Sequence, residues 1–454
     1  MKNTKQSLGS GIANSATLKA VIIGILMIIL MIPVSLITNL VKEREYASKS
    51  VTNEISSKWG YEQTVTGPII AVPYKYNMKD NNVLKEVQAY AYFLPEELNI
   101  EADVNPEIRY RSIYKTVVYQ SNIKVSGRFN HPDFLKLNRA AISIDLANAF
   151  AFVGISDVRG IRSDIAFNWN GNKKEATPGI GGSNLARSGI TIKIPFSTES
   201  AKDADYTFDF NLTLNGTSGL YFIPVGKTTK ALLTSSWSSP SFDGAFLPDQ
   251  RNVTPEGFTA QWSVYNYNRN FPQIWTDDEY NINSSVFGAN LILPVDHYQK
   301  TMRSAKYAIM FIALTFMVFF LAEIISRKRI HPLQYLLVSI GLILFYSLLL
   351  AFSEQMSFNL AYLLSASAIV ILITAYSHSI FKNVKKTALM GIFLVILYLF
   401  LYTVLQLEDL ALMIGSIGLF IALAIEMYVS RKIDWYRQND KEEDITALIE
   451  NTSC

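Results

Sequence analysis

Apolar positions are distributed along this chain in two distinct ways. Residues 20–41 (AVIIGILMIILMIPVSLITNLV) carry no charge, and about 22 residues rising ~1.5 Å each cross a hydrocarbon core of ~30 Å. Five further apolar runs of similar length crowd the last third, at about 307–326, 333–352, 358–381, 387–407 and 410–430, the first and last each holding one acid. They predict an anchor helix at 20–41, kinked where Pro33 removes a backbone donor, and a five-helix bundle over 306–430. Residues 42–305 contain no long apolar run and instead alternate with period two, as at 190–194 and most cleanly at 206–214. Rich in Tyr, Phe, Val and Ile, these stretches suit half-buried strands, and Asn215-Gly216 at the end of the second predicts a hairpin turn. A short helix is expected at 133–138, after His131-Pro132, and residues 43–60 continue the first span as a polar helix. The expected fold class is a multi-pass α-helical membrane protein with a large β-rich extracytoplasmic domain of two packed sheets.

Charge sets the expected orientation. Arg327, Lys328 and Arg329 occupy one turn and Lys382, Lys385 and Lys386 another, whereas the turns at 353–357 and 406–409 carry neither Lys nor Arg. Short loops rich in Lys and Arg stay on the cytoplasmic side of a bilayer. With Lys2, Lys5 and Lys19 ahead of the first span, residues 1–19 and the tail at 431–454 are expected in the cytoplasm, and 42–305 in the periplasm. A secretory signal would have a shorter apolar core and a small-residue cleavage site. Here Lys42-Glu43-Arg44-Glu45 follows a longer run, so an uncleaved anchor is expected.

A formal net charge of +3 is too small to imply a nucleic-acid partner. The single cysteine, Cys454, excludes an internal disulfide and a cysteine metal cluster. His131, His297, His331 and His378 do not stand at metal-ligand spacing, and no H-E-x-x-H, G-x-S-x-G or Walker motif occurs. No catalytic residue, metal or cofactor is therefore expected. Gly179-Ile180-Gly181-Gly182 lacks the Lys-Ser/Thr pair of a phosphate loop and reads as a flexible connection. Asp157 and Arg159, flanked by Gly154 and Gly160, read as a tight turn with a local ion pair rather than an acid–base pair. Ionisable groups in a bilayer are costly, which singles out Glu323, Glu426 and His378 near the cytoplasmic ends of their spans as a candidate intramembrane polar site. The opposing reading has both acids at headgroup level beside basic flanks. Trp237, Phe242, Phe246 and Trp262 form a candidate periplasmic contact surface, with core packing as the alternative fate of such rings.

Short motifs recur in order along most of the chain. They include Thr66-Gly67-Pro68-Ile69-Ile70-Ala71-Val72-Pro73, Arg111-Ser112-Ile113-Tyr114, the turn at 154–161, and Pro240-Ser241-Phe242-Asp243-Gly244. Gly257-Phe258-Thr259-Ala260-Gln261-Trp262, Pro294-Val295-Asp296-His297-Tyr298, His331-Pro332-Leu333-Gln334, Ser353-Glu354 and Leu405-Gln406-Leu407-Glu408-Asp409 follow. In these the chain resembles the CreD family of bacterial inner-membrane proteins, named for cell-envelope integrity. The resemblance implies an inner-membrane location and a link to envelope stress, with tolerance to envelope-active toxins and β-lactams as the affected trait. It implies no catalytic residues. The expected function is a non-enzymatic contribution to envelope integrity, the periplasmic domain contacting envelope proteins, lipid or peptidoglycan. The alternative is a transporter or lipid-handling bundle using Glu323 and Glu426.

Overall fold

The computed structural model describes residues 16–80, 83–130, 141–196, 205–276, 280–293, 297–326, 330–407 and 410–431. The helix expected at 133–138 and most of the tail at 431–454 lie outside them. The chain forms two compact units, Ser48–Pro294 and, together, Met1–Ala47 with Val295–Cys454.

Period-two alternation builds the first unit. Among the described residues its larger sheet has ten strands. The main path runs β14 (Pro240–Gly244), β18 (Phe287–Leu291), β12 (Gly219–Ile223), β1 (Gln63–Asp80), β6 (Phe150–Ile155), β10 (Gly189–Lys193) and β9 (Ala176–Pro178). Strands β2 (Val83–Phe93) and β5 (Ala141–Ile144) also pair with β1, and β17 (Ile274–Thr276) pairs with β2. The second sheet has eight strands in the order β15 (Gln250–Thr254), β16 (Gly257–Tyr265), β13 (Thr228–Ser235), β3 (Glu97–Arg111), β4 (Tyr114–Phe129), β11 (Tyr206–Thr217), β7 (Phe167–Trp169) and β8 (Asn172–Lys174). In β11, Phe208, Phe210, Leu212 and Leu214 point inward while Thr207, Asp209 and Asn211 face out, as their alternation requires. β1 departs from that rule. Ile69, Ile70, Ala71 and Val72 are all fully buried, because this strand is enclosed on both faces at the centre of its sheet. Ile70, Phe152 and Phe222 from the larger sheet and Ile100, Val125 and Phe210 from the smaller one belong to a single hydrophobic core.

The hairpin expected at Asn215-Gly216 does not form. β11 continues through both residues, pairing Asn215 with Gln120 and Gly216 with Tyr119, and the chain breaks only at Ser218, where φ is +69°. Gly216 serves packing instead of turning, since a Cβ there would fall 2.3 Å from the Tyr119 hydroxyl. After Ser218 the chain crosses from the smaller sheet into β12 of the larger one.

Helices build the second unit. α1 (Ala16–Trp59) is one 44-residue helix that contains Pro33 and continues through the polar stretch at 43–59, its residues from Ser48 onward belonging to the first unit. Then come α2 (His297–Lys306), α3 (Ala308–Ser326), α4 (Pro332–Ser353), α5 (Phe358–Phe381), α6 (Val384–Gln406) and α7 (Ala411–Ser430). α1, α4, α5 and α6 are each long and apolar enough to cross a membrane, and α2 with α3, bent by 44°, makes a fifth candidate span. α7 is shorter in its apolar part. Large apolar side chains point outward here, including Ile28 at 72%, Ile371 at 68% and Phe420 at 73% exposure. Water would penalise such a surface by ~25 cal/mol per Å², whereas acyl chains accept it. Three buried hydroxyls are satisfied within their own helices: Ser339, Ser353 and Ser377 donate to the carbonyls of Leu336, Leu350 and Ile373.

Candidate functional site

Gln63, the first residue of β1, is fully buried, and its amide uses its whole hydrogen-bonding capacity. Nε2 donates to the carbonyls of Asp157 and Asn215, both at 3.0 Å. Oε1 accepts from the Asp157 N–H and the Ser156 hydroxyl, both at 3.2 Å. Gly160 leaves room for this junction: a Cβ there would sit 2.3 Å from the Asn215 carbonyl oxygen and 2.5 Å from Gln63 Nε2. The Asp157 carboxylate accepts from the Tyr61 N–H at 3.0 Å and from Nε and Nη2 of Arg159 at 2.9 and 3.0 Å. Burial works against its charge, but these donors outweigh burial and hold the carboxyl below its usual range. Asp157 and Arg159 are therefore a turn-closing ion pair.

Beside this junction lies a face of rings and guanidinium groups. Trp59 ends α1 and donates its indole N–H to the Tyr119 carbonyl at 3.1 Å, which holds the ring in place. The guanidinium carbon of Arg109 lies 3.8 Å from the Trp59 ring centroid, and that of Arg162 lies 5.5 Å away. Arg159 stands 5.3 Å over Tyr61, itself 40% exposed. Such cation–π contacts hold the Arg109 and Arg162 guanidinium groups in place, whereas Arg159 is neutralised by Asp157. Lys58 and Arg111 pair with Glu54, and Arg109 with Glu107 at 3.5 Å. With the Asn215 side-chain amide turned so that its oxygen faces Arg162, it accepts from Arg162 at 2.8 and 3.2 Å, and Arg162 has no carboxylate partner among the described residues. Sequence reading singled out the turn at 154–161 but missed Gln63, Trp59, Arg109 and Arg162. They come from three stretches of chain, at 59–63, 109 and 162, and nothing local in any one of them marks the assembly.

The expected aromatic contact surface is mostly packing. Trp262 is 1% exposed, with its indole N–H donated to the Phe246 carbonyl at 3.1 Å and its ring 5.5 Å from Phe287. It is a core side chain and offers no face to a partner. Phe242 packs edge-on against it at 5.9 Å, Phe246 against Phe287 at 6.3 Å, and all of Trp237, Phe242 and Phe246 are half-buried. Trp237 donates to the Ile292 carbonyl at 3.0 Å.

In the helical unit, Glu323 is 5% exposed and accepts from the Ile330 N–H and the Tyr335 hydroxyl, both at 3.0 Å. It thereby ties α3 to the start of α4, where His331 Nδ1 accepts from the Leu333 N–H and Gln334 accepts from the His331 N–H. His378 belongs to the α5–α6 pair, its Nδ1 3.4 Å from Thr387 Oγ1. Glu426 lies on α7, and its side chain is outside the described residues. A polar network at other helix ends was not foreseen. Glu354 lies 3.9 Å from Arg44 and accepts from the Tyr298 hydroxyl at 3.4 Å, while Gln406 accepts from Lys300 at 3.2 Å and donates to Asn359 at 2.9 Å. Three segments carrying the family resemblance supply Tyr298, Glu354 and Gln406. Among the described residues, no three His, Cys, Asp or Glu side chains are grouped to hold a metal ion.

A family model described as inner membrane protein CreD matches residues 15–436. The inner membrane protein CreD of Escherichia coli (strain K12) is 33% identical over 416 residues, covering 90% of this chain and 91% of that protein. Among solved structures, an M1 zinc metallopeptidase from Deinococcus radiodurans aligns over 38% of this chain and 39% of its own at 13% identity. Its TM-score of 0.18 is too low to indicate a shared fold. Long apolar helices, a match over nearly the whole length and a near full-length relative agree: this chain belongs to the CreD family of multi-pass inner-membrane proteins.

Proposed function

We propose that this protein supports cell-envelope integrity and the response to envelope stress as a binding protein without chemistry of its own. In this reading both termini are cytoplasmic and Ser48–Pro294 is periplasmic, an orientation supported by the basic turn at Lys382, Lys385 and Lys386. The observation that carries the reading is the arginine–aromatic face. Arg109 and Arg162 over Trp59 present planar donors that suit the carboxylate or phosphate groups of envelope lipid, peptidoglycan or protein.

The test replaces Arg109 and Arg162 together with Gln in cells lacking the native gene. The variant is expected to reach the membrane at the normal level yet fail to restore tolerance to envelope-active agents. Full restoration would refute the assignment of this face. A transporter using Glu323 and Glu426 has less support, because Glu323 is occupied in joining α3 to α4.

A further inference from the structure

An open groove of about 610 Å³ runs between α5 and α6. Its lining changes character along its length. Past one end, Lys382 caps α5 and Lys385 and Lys386 stand in the first turn of α6, all three exposed and outside the lining itself. One turn deeper, His378 Nδ1 meets Thr387 Oγ1 at 3.4 Å. A further turn along α5, Thr374 lines the groove, and its hydroxyl is buried without a hydrogen-bond partner. Beyond it the walls are apolar, formed by Val370, Ile371, Val395 and Ile396. From His378 to Val370, and from Thr387 to Ile396, the helices rise roughly 12–14 Å at ~1.5 Å per residue. That is close to half of a hydrocarbon core ~30 Å thick, the depth of one leaflet.

We propose that this groove holds one anionic diacyl phospholipid, with its phosphate at the lysine-bearing turn and one acyl chain along the apolar walls. The order of chemistry in the groove matches the order in such a molecule. Three exposed cations stand within one helical turn of the His378–Thr387 end, where the phosphate would lie, and His378 and Thr387 lie at the glycerol level. Any acyl chain would fill an apolar groove. The lysine turn selects the anionic headgroup, since each cation near the surface is worth about fivefold in binding an anionic lipid.

The experiment uses the full chain, purified in neutral detergent and stripped of lipid. Native mass spectrometry counts bound dioleoylphosphatidylglycerol and, separately, dioleoylphosphatidylcholine across a titration. One phosphatidylglycerol is expected to bind at least about tenfold tighter than phosphatidylcholine, unaffected by excess inorganic phosphate. Lys385→Gln with Lys386→Gln should remove that preference while leaving phosphatidylcholine binding unchanged. Lys382 is left alone because its left-handed backbone, at φ +46°, ends α5. Ala375→Phe with Ala388→Phe, both outward-facing lining positions, should weaken both lipids together. Equal binding of the two lipids, competition by phosphate alone, or wild-type binding in the Phe variant would each overturn the proposal.

Discussion

Gln63→Leu should unfold the strand-rich unit far more readily than its near-equal volume suggests. The side chain is fully buried and makes four hydrogen bonds, to Ser156, to the N–H and C=O of Asp157 and to the C=O of Asn215. Leucine removes all four. Ser156 keeps other partners, donating to the Glu62 carbonyl at 2.9 Å and accepting from the Thr64 N–H at 2.9 Å. The Asp157 carbonyl also keeps the Gly160 N–H at 3.1 Å. The Asp157 N–H is the principal loss, at ~1–3 kcal/mol for a buried donor, with smaller terms for the two carbonyls. A total of about 2–5 kcal/mol is expected, against a typical domain stability of ~5–15 kcal/mol. Tryptophan fluorescence during urea unfolding in detergent reads this unit selectively: Trp59, Trp169, Trp237, Trp262 and Trp275 lie within it and only Trp435 outside. A Leu variant within about 0.5 kcal/mol of wild type would refute the claim that this amide is the junction of β1, β11 and the turn after β6.

Further outcomes follow from the same contacts. Gly160→Ala should cost at least ~1–3 kcal/mol in that unfolding assay, since its methyl meets backbone and the Gln63 amide rather than a yielding side chain. Asp157 has a depressed pKa in the fold, so its stabilisation is present above its unfolded value of ~3.9 and is lost as pH falls through the folded value. The gap in unfolding midpoint between wild type and Asp157→Asn should therefore be steady from pH 5 to 7 and narrow below about pH 4. Glu323→Gln combined with Glu426→Gln should insert normally and retain envelope function, because glutamine keeps an acceptor for the Ile330 N–H; Glu323→Leu, which removes it, should lower the yield of folded protein in detergent. Alkaline phosphatase fused near residue 200 should be active in cells, and an inactive fusion paired with an active cytosolic reporter there would reverse the proposed orientation.

Much of the architecture was readable from local pattern. Apolar runs of bilayer length became helices, and α1 continues into its polar half, because helix periodicity and hydrophobic length are properties of neighbouring residues. The alternation at 206–214 likewise became the inward and outward faces of β11. The reading failed at Asn215-Gly216, where the usual turn signal was overridden by the Tyr119 ring across the strand pair. Its aromatic surface lost Trp262 for a related reason, since whether a ring lies in the core or on the surface depends on which strand packs above it.

The candidate site was out of local reach. Gln63 meets Asp157 across 94 positions and Asn215 across 152, through the register of β1 against β6 and the passage of β11 into β12. The same holds for Trp59 under Arg109 and Arg162, and for the groove whose lining is shared between two helices. Side-chain periodicity states which way each residue faces on its own element. It carries no information about the partner on the facing one, and hydrogen-bond satisfaction, cation–π stacking and groove chemistry exist only between elements.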